Sequence, residues 1–336
     1  MTGAQGFVGR FTVAHLLASD PDAEVVGTGR SPASDSHFTH FVHYGTHLVR
    51  AALPPELVLL YDGRYRYEVA DLGDRRALAE LLKSFSPDII LHLASGLRDD
   101  PIEQLFRTNV EGSANLIAAI VASGTSVRRI VLGSSGAIYG LSARDRVPLD
   151  EATPCAPADC YSASKLAAEH VSRILTSEHG IPAVWARIFN IVGPGQEERH
   201  FCGKVASQVA AIQNRQIPPT IEVGDLTTTR DFIDVRDVAV ALVLLGRSGM
   251  PGNAYNVASG EEIAMGRVLD LALDIAGLTG TVTIEDTYHR KTDIARVYAD
   301  VSRLRDLGFV TNYDLCRSMT DLIDYYCTTI RRAKRG

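Results

Sequence analysis

The sequence predicts an α/β protein built on a doubly wound parallel sheet, with a smaller lobe toward the C-terminus. Three observations carry this. Short β-type runs alternate with helical patterns through the first half of the 336 residues. Glycines at 3, 6 and 9 form a tight turn at the start, and after residue 190 the alternation loosens into a Gly/Pro-rich loop. Strands separated by helices pair in parallel, because each helical crossover returns the chain to the same end of the sheet.

Taken in order, "VGRFTVAHLLAS" repeats apolar residues at helical spacing directly after the glycine turn. "AEVVGTG" (23–29), "RYRYEVADL" (64–72), "DIILHLAS" (88–95), "RRIVLGSS" (128–135) and "PAVWARIFN" (182–190) are read as strands from their Val, Ile, Leu and aromatic content. "RRALAELLKSF", "EQLFRTNVEGSANLIAAIVAS" and "SASKLAAEHVSRILTSEH" supply the helices among them. Residues 1–186 are therefore read as a dinucleotide-binding Rossmann domain and 187–336 as mostly a substrate-binding lobe. Within that lobe we expect a helix over 203–215 and a return to the first domain over about 230–258. The strand that should precede the glycine turn is missing from the chain. Its unpaired neighbours would cost about 1–3 kcal/mol for each buried unsatisfied group. The functional protein is thus expected to begin upstream, with about five to seven further apolar residues, one strand's worth.

Residues 34–62 do not fit the alternation. His37, His40, His43 and His47 would share one face of a helix, a spacing that transition metals use. Gly45 interrupts such a helix, and no Asp or Glu lies among the histidines. The segment is read as an amphipathic surface insertion whose histidines are simply polar.

Composition narrows the function classes. Hydrophobic residues make up 46% of the chain and the net charge is −6 with both signs interspersed, which fits a globular protein and argues against nucleic acid as a partner. No run approaches the ~20 apolar residues of a membrane span. Cys155, Cys160, Cys202, Cys316 and Cys327 are scattered and odd in number, as expected of reduced thiols in a cytoplasmic protein. Cys155 and Cys160 have no second pair to complete a metal site, so none is expected.

Chemistry enters at the predicted strand ends. Gly3, Gly6 and Gly9 let backbone N–H groups approach a pyrophosphate at a helix N-terminus, with Phe7 opening that helix. The next strand ends in Arg30 rather than an acid, which suits a 2′-phosphate on the adenosine ribose. Asp71, with Leu72 beside it, is placed to meet the adenine ring. Tyr161 and Lys165 are one helical turn apart, and Ser135 ends the strand before them. A free tyrosine titrates near ~10. Lowering it by about three units takes roughly 4 kcal/mol, about what an ammonium ~4 Å away supplies at an effective dielectric of 20. Lys165 is therefore expected to lower the Tyr161 pKa and make it a usable acid or base.

"TGAQGFVG", "SSGAIYG", "YSASK" and "ARIFNIVGPGQ" resemble the extended branch of the short-chain dehydrogenase/reductase superfamily, the NAD-dependent epimerase/dehydratase family, whose members act mostly on nucleotide sugars. The resemblance implies that Ser135, Tyr161 and Lys165 are catalytic and handle the proton while a nicotinamide handles the hydride. It implies cofactor contacts from Ala94, Asn109, Tyr161 and Lys165 besides the residues above, and a substrate contact from Asn190. "IEVGDLTTTRDFIDVRDVAVAL" and "GNAYNVASGEEI" further resemble the GDP-4-keto-6-deoxy-D-mannose reductases, where Arg230 and Arg290 match arginines that hold the substrate diphosphate. Gly136 and Ala137 follow Ser135 where the 4,6-dehydratases carry an Asp-Glu pair, which argues against dehydration. The expectation is an NADPH-dependent reductase of a 4-keto-6-deoxy nucleotide sugar, with NAD the less favoured cofactor, acting as a homodimer through the helices around 103–122 and 161–178. The alternatives are an NAD-dependent nucleotide-sugar 4-epimerase and a non-catalytic cofactor-sensing module.

Overall fold

The computed structural model describes residues 1–44, 47–59, 62–288 and 294–333. The glycine turn opens α1 (Phe7–Ser19), followed by β1 (Val25–Gly29), a hairpin of β2 (His37–Tyr44) and β3 (His47–Ala52), and β4 (Tyr65–Val69). Next come α2 (Arg75–Phe85), β5 (Ile89–His92), α3 (Ile102–Leu105), α4 (Gly112–Ser123), β6 (Arg129–Ser135), α5 (Cys160–Glu178) and β7 (Ala183–Ile188). The chain continues through β8 (Asn190–Val192), α6 (Phe201–Gln213), β9 (Thr220–Gly224), β10 (Thr229–Arg230), β11 (Phe232–Asp234), α7 (Val235–Ser248) and β12 (Ala254–Val257). After these lie β13 (Ile263–Ala264), α8 (Met265–Ala276), β14 (Thr283–Tyr288), β15 (Arg296–Val297), α9 (Ser302–Arg305) and α10 (Leu315–Ala333).

The fold is the doubly wound α/β architecture. β4 pairs with β1 in parallel, and β5, β6, β7 and β12 form a second parallel run. Thr2 joins the two runs by bridging both Thr28 and His92 in parallel. The Thr28 N–H donates to the Met1 carbonyl at 2.8 Å and the Thr2 N–H to the Leu91 carbonyl at 3.0 Å, so Met1 and Thr2 occupy the central position of the sheet.

Period-two alternation sends neighbouring side chains to opposite faces, and both faces are covered by helices, so the strands read as nearly continuous apolar runs. Leu91, Val131, Val184 and Ala186 pack with Val238, Leu242 and Leu245 of α7. Ile90, Ile130, Leu132 and Trp185 pack on the other face with Leu78 and Leu82 of α2 and Leu116, Ile117 and Ile120 of α4.

Two expectations need correction. The histidine-rich segment, read as an amphipathic surface insertion, is a β-hairpin that exposes Thr39, Phe41 and His43 and buries its other face. Phe38, Val42, Ala51 and Leu53 are buried in the core that α6, α8 and α10 form. "HFTHFVHY" places Phe38 and Val42 four apart, and on a strand both point to one face, with His40 between them. Gly195, at φ +92°, leaves room for the Phe38 ring; a Cβ there would lie 2.5 Å from it. Among the described residues no group of three His, Cys, Asp or Glu side chains could hold a metal. The single helix expected through 103–123 is likewise interrupted, with residues 106–111 winding as a π-helix between α3 and α4. Such bulges recur at functional sites, and this one carries Asn109. Among the described residues no helix is long and apolar enough to cross a membrane.

On α5 itself, Glu169 is 2% exposed and accepts from Arg187 at 2.7 Å, Arg173 at 2.9 Å and Ser134 at 2.9 Å. Burial alone would raise this carboxyl, but the two arginines outweigh it and hold the group below the usual carboxylate range. The stabilisation is therefore present above the unfolded-state pKa and is lost as the pH falls through the lower folded value. Glu169→Ala should cost about 3–5 kcal/mol, because it leaves the Arg187 guanidinium buried without a counter-charge. Urea unfolding at pH 7 checks this, and a loss under 1 kcal/mol would refute it.

Candidate active site

A cavity of about 1040 Å³ opens beyond the carboxyl ends of the central strands, where ligands of doubly wound sheets bind. Its floor is the glycine turn. Gly3 sits at φ +68°, and a Cβ there would lie 2.7 Å from the Ala94 backbone nitrogen. A Cβ on Gly9 would overlap the Gly3 carbonyl. Gly6 precedes α1 with no side-chain cap, which leaves the first helical N–H groups to an anion. A pyrophosphate fits this cradle, since the glycines pack the turn against its own backbone and the uncapped N-terminus of α1 faces the cavity.

Gly3, Gly6, Phe7, Gly9, Arg30, Asp71, Leu72 and Ala94 all line the cavity. Asp71 also accepts the Gly73 N–H at 2.8 Å. Asn109 lies elsewhere. It is 2% exposed, does not line this cavity, and spends its amide on protein groups. Its Oδ1 accepts the Gly96 N–H at 2.8 Å, and its Nδ2 donates to Ser164 Oγ at 2.9 Å. Asn109 thereby fixes the 95–96 loop against the helix that bears Tyr161 and Lys165.

Ser135, Tyr161 and Lys165 meet on one wall. A capping box of Asp159 and Ser162 starts α5 and so fixes where Tyr161 stands. The Tyr161 hydroxyl is hydrogen-bonded to Ser135. Lys165 Nζ points to the Gly133 carbonyl at 2.6 Å and to Ser95 Oγ at 3.2 Å. Burial draws the ammonium down to about 8, and the Glu169 carboxylate opposes that.

The expected lowering of the Tyr161 pKa by Lys165 is not what this geometry gives. Burial raises it, and the groups that pull the other way are Ser135 by its hydrogen bond and Arg98 by its charge. Helical spacing brought the two residues to one face but did not fix the direction of a four-carbon side chain. Arg98, which sequence reasoning missed, lies 5.5 Å from the Tyr161 ring centroid and pairs with Asp159. It sits in the loop after β5, at the carboxyl end of the sheet, and that position was the only signal available.

Opposite this wall, Asn190 and Arg230 also line the cavity. Asn190 Nδ2 donates to the Asp231 carbonyl at 3.0 Å, and Arg230 Nη1 donates to the carbonyls of Thr229 at 2.7 Å and Ile294 at 2.9 Å. Arg290 lies outside the described residues. Lys204, Arg199, His200 and His40 border the same space without having been foreseen. His40 Nε2 meets the Gly195 carbonyl at 2.7 Å, and burial pushes its pKa to about 4, so the ring is neutral at pH 7 and donates there.

A glycine cradle and a Ser-Tyr-Lys wall in one cavity are the features of a nicotinamide-dependent oxidoreductase site, and comparison with known proteins agrees. The family model of the NAD-dependent epimerase/dehydratase family matches residues 1–258. The GDP-6-deoxy-D-mannose reductase of Pseudomonas aeruginosa is 33% identical over 274 residues, covering 78% of this chain and 86% of that protein. The dTDP-L-rhamnose 4-epimerase of Burkholderia thailandensis is 31% identical over 291 residues, covering 76% and 79%. The solved structure of RMD from Pseudomonas aeruginosa complexed with NADPH has a TM-score of 0.76 at 26% identity and covers 97% of both chains. The chain belongs to the NAD-dependent epimerase/dehydratase family. It is an NAD(P)-dependent enzyme of the extended short-chain dehydrogenase/reductase type.

Proposed function

We propose that this chain reduces the keto group of a 4-keto-6-deoxy nucleotide sugar with NADPH. The observation that carries it is the wall of Ser135, Tyr161 and Lys165 beside the glycine turn, which places a proton donor, the Tyr161 phenol, in the same cavity as the cofactor cradle. The similarity to a GDP-6-deoxy-D-mannose reductase supports the substrate class, and Arg30 at the cavity rim supports a 2′-phosphate.

The glycine turn and the N-terminus of α1 would hold the cofactor pyrophosphate, Arg30 its 2′-phosphate, Asp71 and Leu72 its adenine, and Lys165 its nicotinamide ribose. When bound, the nicotinamide supplies a hydride to sugar carbon 4. Tyr161 then gives its proton to the oxygen on that carbon, while Ser135 holds the same oxygen by a hydrogen bond. Arg98 favours the tyrosinate that remains until solvent returns the proton. Arg230 and Asn190 hold the nucleotide end of the substrate.

Lys165 carries its charge below about pH 8 and loses it above, since burial has lowered its pKa. The kcat/KM profile, which reports groups of the free enzyme, should therefore fall on the alkaline side with a midpoint near that value. A limb that begins only near ~10, where an unperturbed lysine titrates, would exclude Lys165 as its source.

The epimerase reading has its own support, in a 4-epimerase relative of nearly equal identity and in the "SSGAIYG" segment, which resembles the epimerase pattern. Offering GDP-, dTDP-, UDP- and CDP-linked 4-keto sugars and following NADPH absorbance separates the two. Oxidation equal to the sugar converted supports the reductase; no oxidation with any of the 4-keto sugars, together with inversion at carbon 4 of the matching 4-hydroxy nucleotide sugar, supports the epimerase.

A further inference from the structure

We propose that Gln5 and Arg10 set the cofactor selectivity of this chain, as positioning residues that hold the Arg30 loop in shape for a 2′-phosphate. The proposal rests on the NADPH reading above. Between β1 and β2 the chain runs through residues 30–36 with no regular structure, and Arg30, Ser31, Pro32 and Ala33 are exposed. A loop of this kind has no ladder to satisfy its backbone, so its hydrogen bonds must come from side chains.

Two buried side chains supply them. Gln5 is 5% and Arg10 1% exposed. Gln5 Nε2 donates to the carbonyls of Pro32 at 2.8 Å and Ser31 at 3.3 Å, and its Oε1 accepts the Ser34 N–H at 2.7 Å. Arg10 Nη2 reaches Gln5 Oε1 at 3.0 Å, the Ser34 carbonyl at 2.6 Å and the His37 carbonyl at 3.3 Å. From the far side the Tyr67 hydroxyl donates to the Ser31 carbonyl at 2.9 Å.

Gln5 belongs to the glycine turn and Arg10 to α1, so pyrophosphate cradle, helix and Arg30 loop form one hydrogen-bonded unit. Neither side chain takes part in the proton transfer described above. A guanidinium buried almost completely is costly to keep, and an apolar residue would fill the same space at less cost. What the polar pair adds is direction. It fixes Ser31, Pro32 and Ser34 of the loop, and a planar arginine fork recognises phosphate only when its base is fixed. NADH carries no 2′-phosphate and has no need of the loop.

Gln5→Glu tests this most cleanly, because it keeps the acceptor for Arg10 and Ser34 but removes both N–H donors to the loop. Titrating the full-length variant with each cofactor should show NADPH affinity weakened roughly tenfold, the loss of one to two hydrogen bonds, and NADH affinity changed by less than about threefold. Arg10→Lys, which keeps the charge but cannot reach all the acceptors, should move the ratio the same way by less. On an Arg30→Ala background the Gln5→Glu effect on NADPH should shrink to under about threefold, since the two act through one contact. Equal weakening of both cofactors, or a Gln5→Glu effect undiminished on that background, would overturn the proposal. A wild-type chain that prefers NADH would overturn the cofactor reading itself. A wild-type preference for NADPH whose size both variants leave unchanged would overturn this inference alone.

Discussion

Tyr161→Phe should lower kcat about 100- to 10,000-fold, the range in which a positioned general acid contributes, while the Kd for NADPH stays within about twofold. The substitution removes one hydroxyl and leaves the ring in place under Arg98, 5.5 Å away. On the proposed reading, cofactor affinity would depend on groups that this change does not touch: the glycine turn, Arg30 and the Lys165 ammonium, which is anchored at Gly133 and Ser95. Stopped-flow hydride transfer together with fluorescence titration of NADPH reads both quantities on one preparation. A kcat within threefold of wild type would remove Tyr161 from the proton step.

Arg30→Asp should invert the cofactor preference. The arginine would make charge-assisted hydrogen bonds worth about 1.5–3 kcal/mol with a 2′-phosphate, and an aspartate adds repulsion of comparable size. Together these predict roughly a 100- to 1,000-fold loss in NADPH affinity, with NADH affinity unchanged or improved, because a carboxylate at this strand end accepts from ribose hydroxyls. Arg30 is exposed at the end of β1, so folding should not be affected. An unchanged NADPH/NADH ratio would make Arg30 an ordinary surface residue.

Much of the architecture was legible because its signals are local. Glycines at 3, 6 and 9, a strand ending at Ser135 and a Tyr161–Lys165 pair one turn apart are backbone-scale patterns that a sequence carries openly. What escaped depends on tertiary choice. In "HFTHFVHY" the three-residue spacing of the histidines pointed to a helix, while the alternation of Phe38, His40 and Val42 that sets the strand was equally present. Only the apolar surface of α6, α8 and α10 decides between them. Arg98 reaches Tyr161 from a separate loop, and no spacing rule spans that distance. The electrostatics of Tyr161 could not be read at all, because they turn on burial and on where Lys165 points rather than on the interval between the two residues.

The central claim is hydride delivery to sugar carbon 4 with a proton from Tyr161. Turnover of a GDP-linked 4-keto-6-deoxy hexose with NADPH deuterated at the transferring position tests it most directly, with the product examined by NMR. The account predicts one deuterium at carbon 4 for every NADPH oxidised, and loss of that incorporation in Tyr161→Phe. A keto sugar left unreduced with NADPH unconsumed, while the matching GDP-linked 4-hydroxy sugar is inverted at carbon 4, would contradict it.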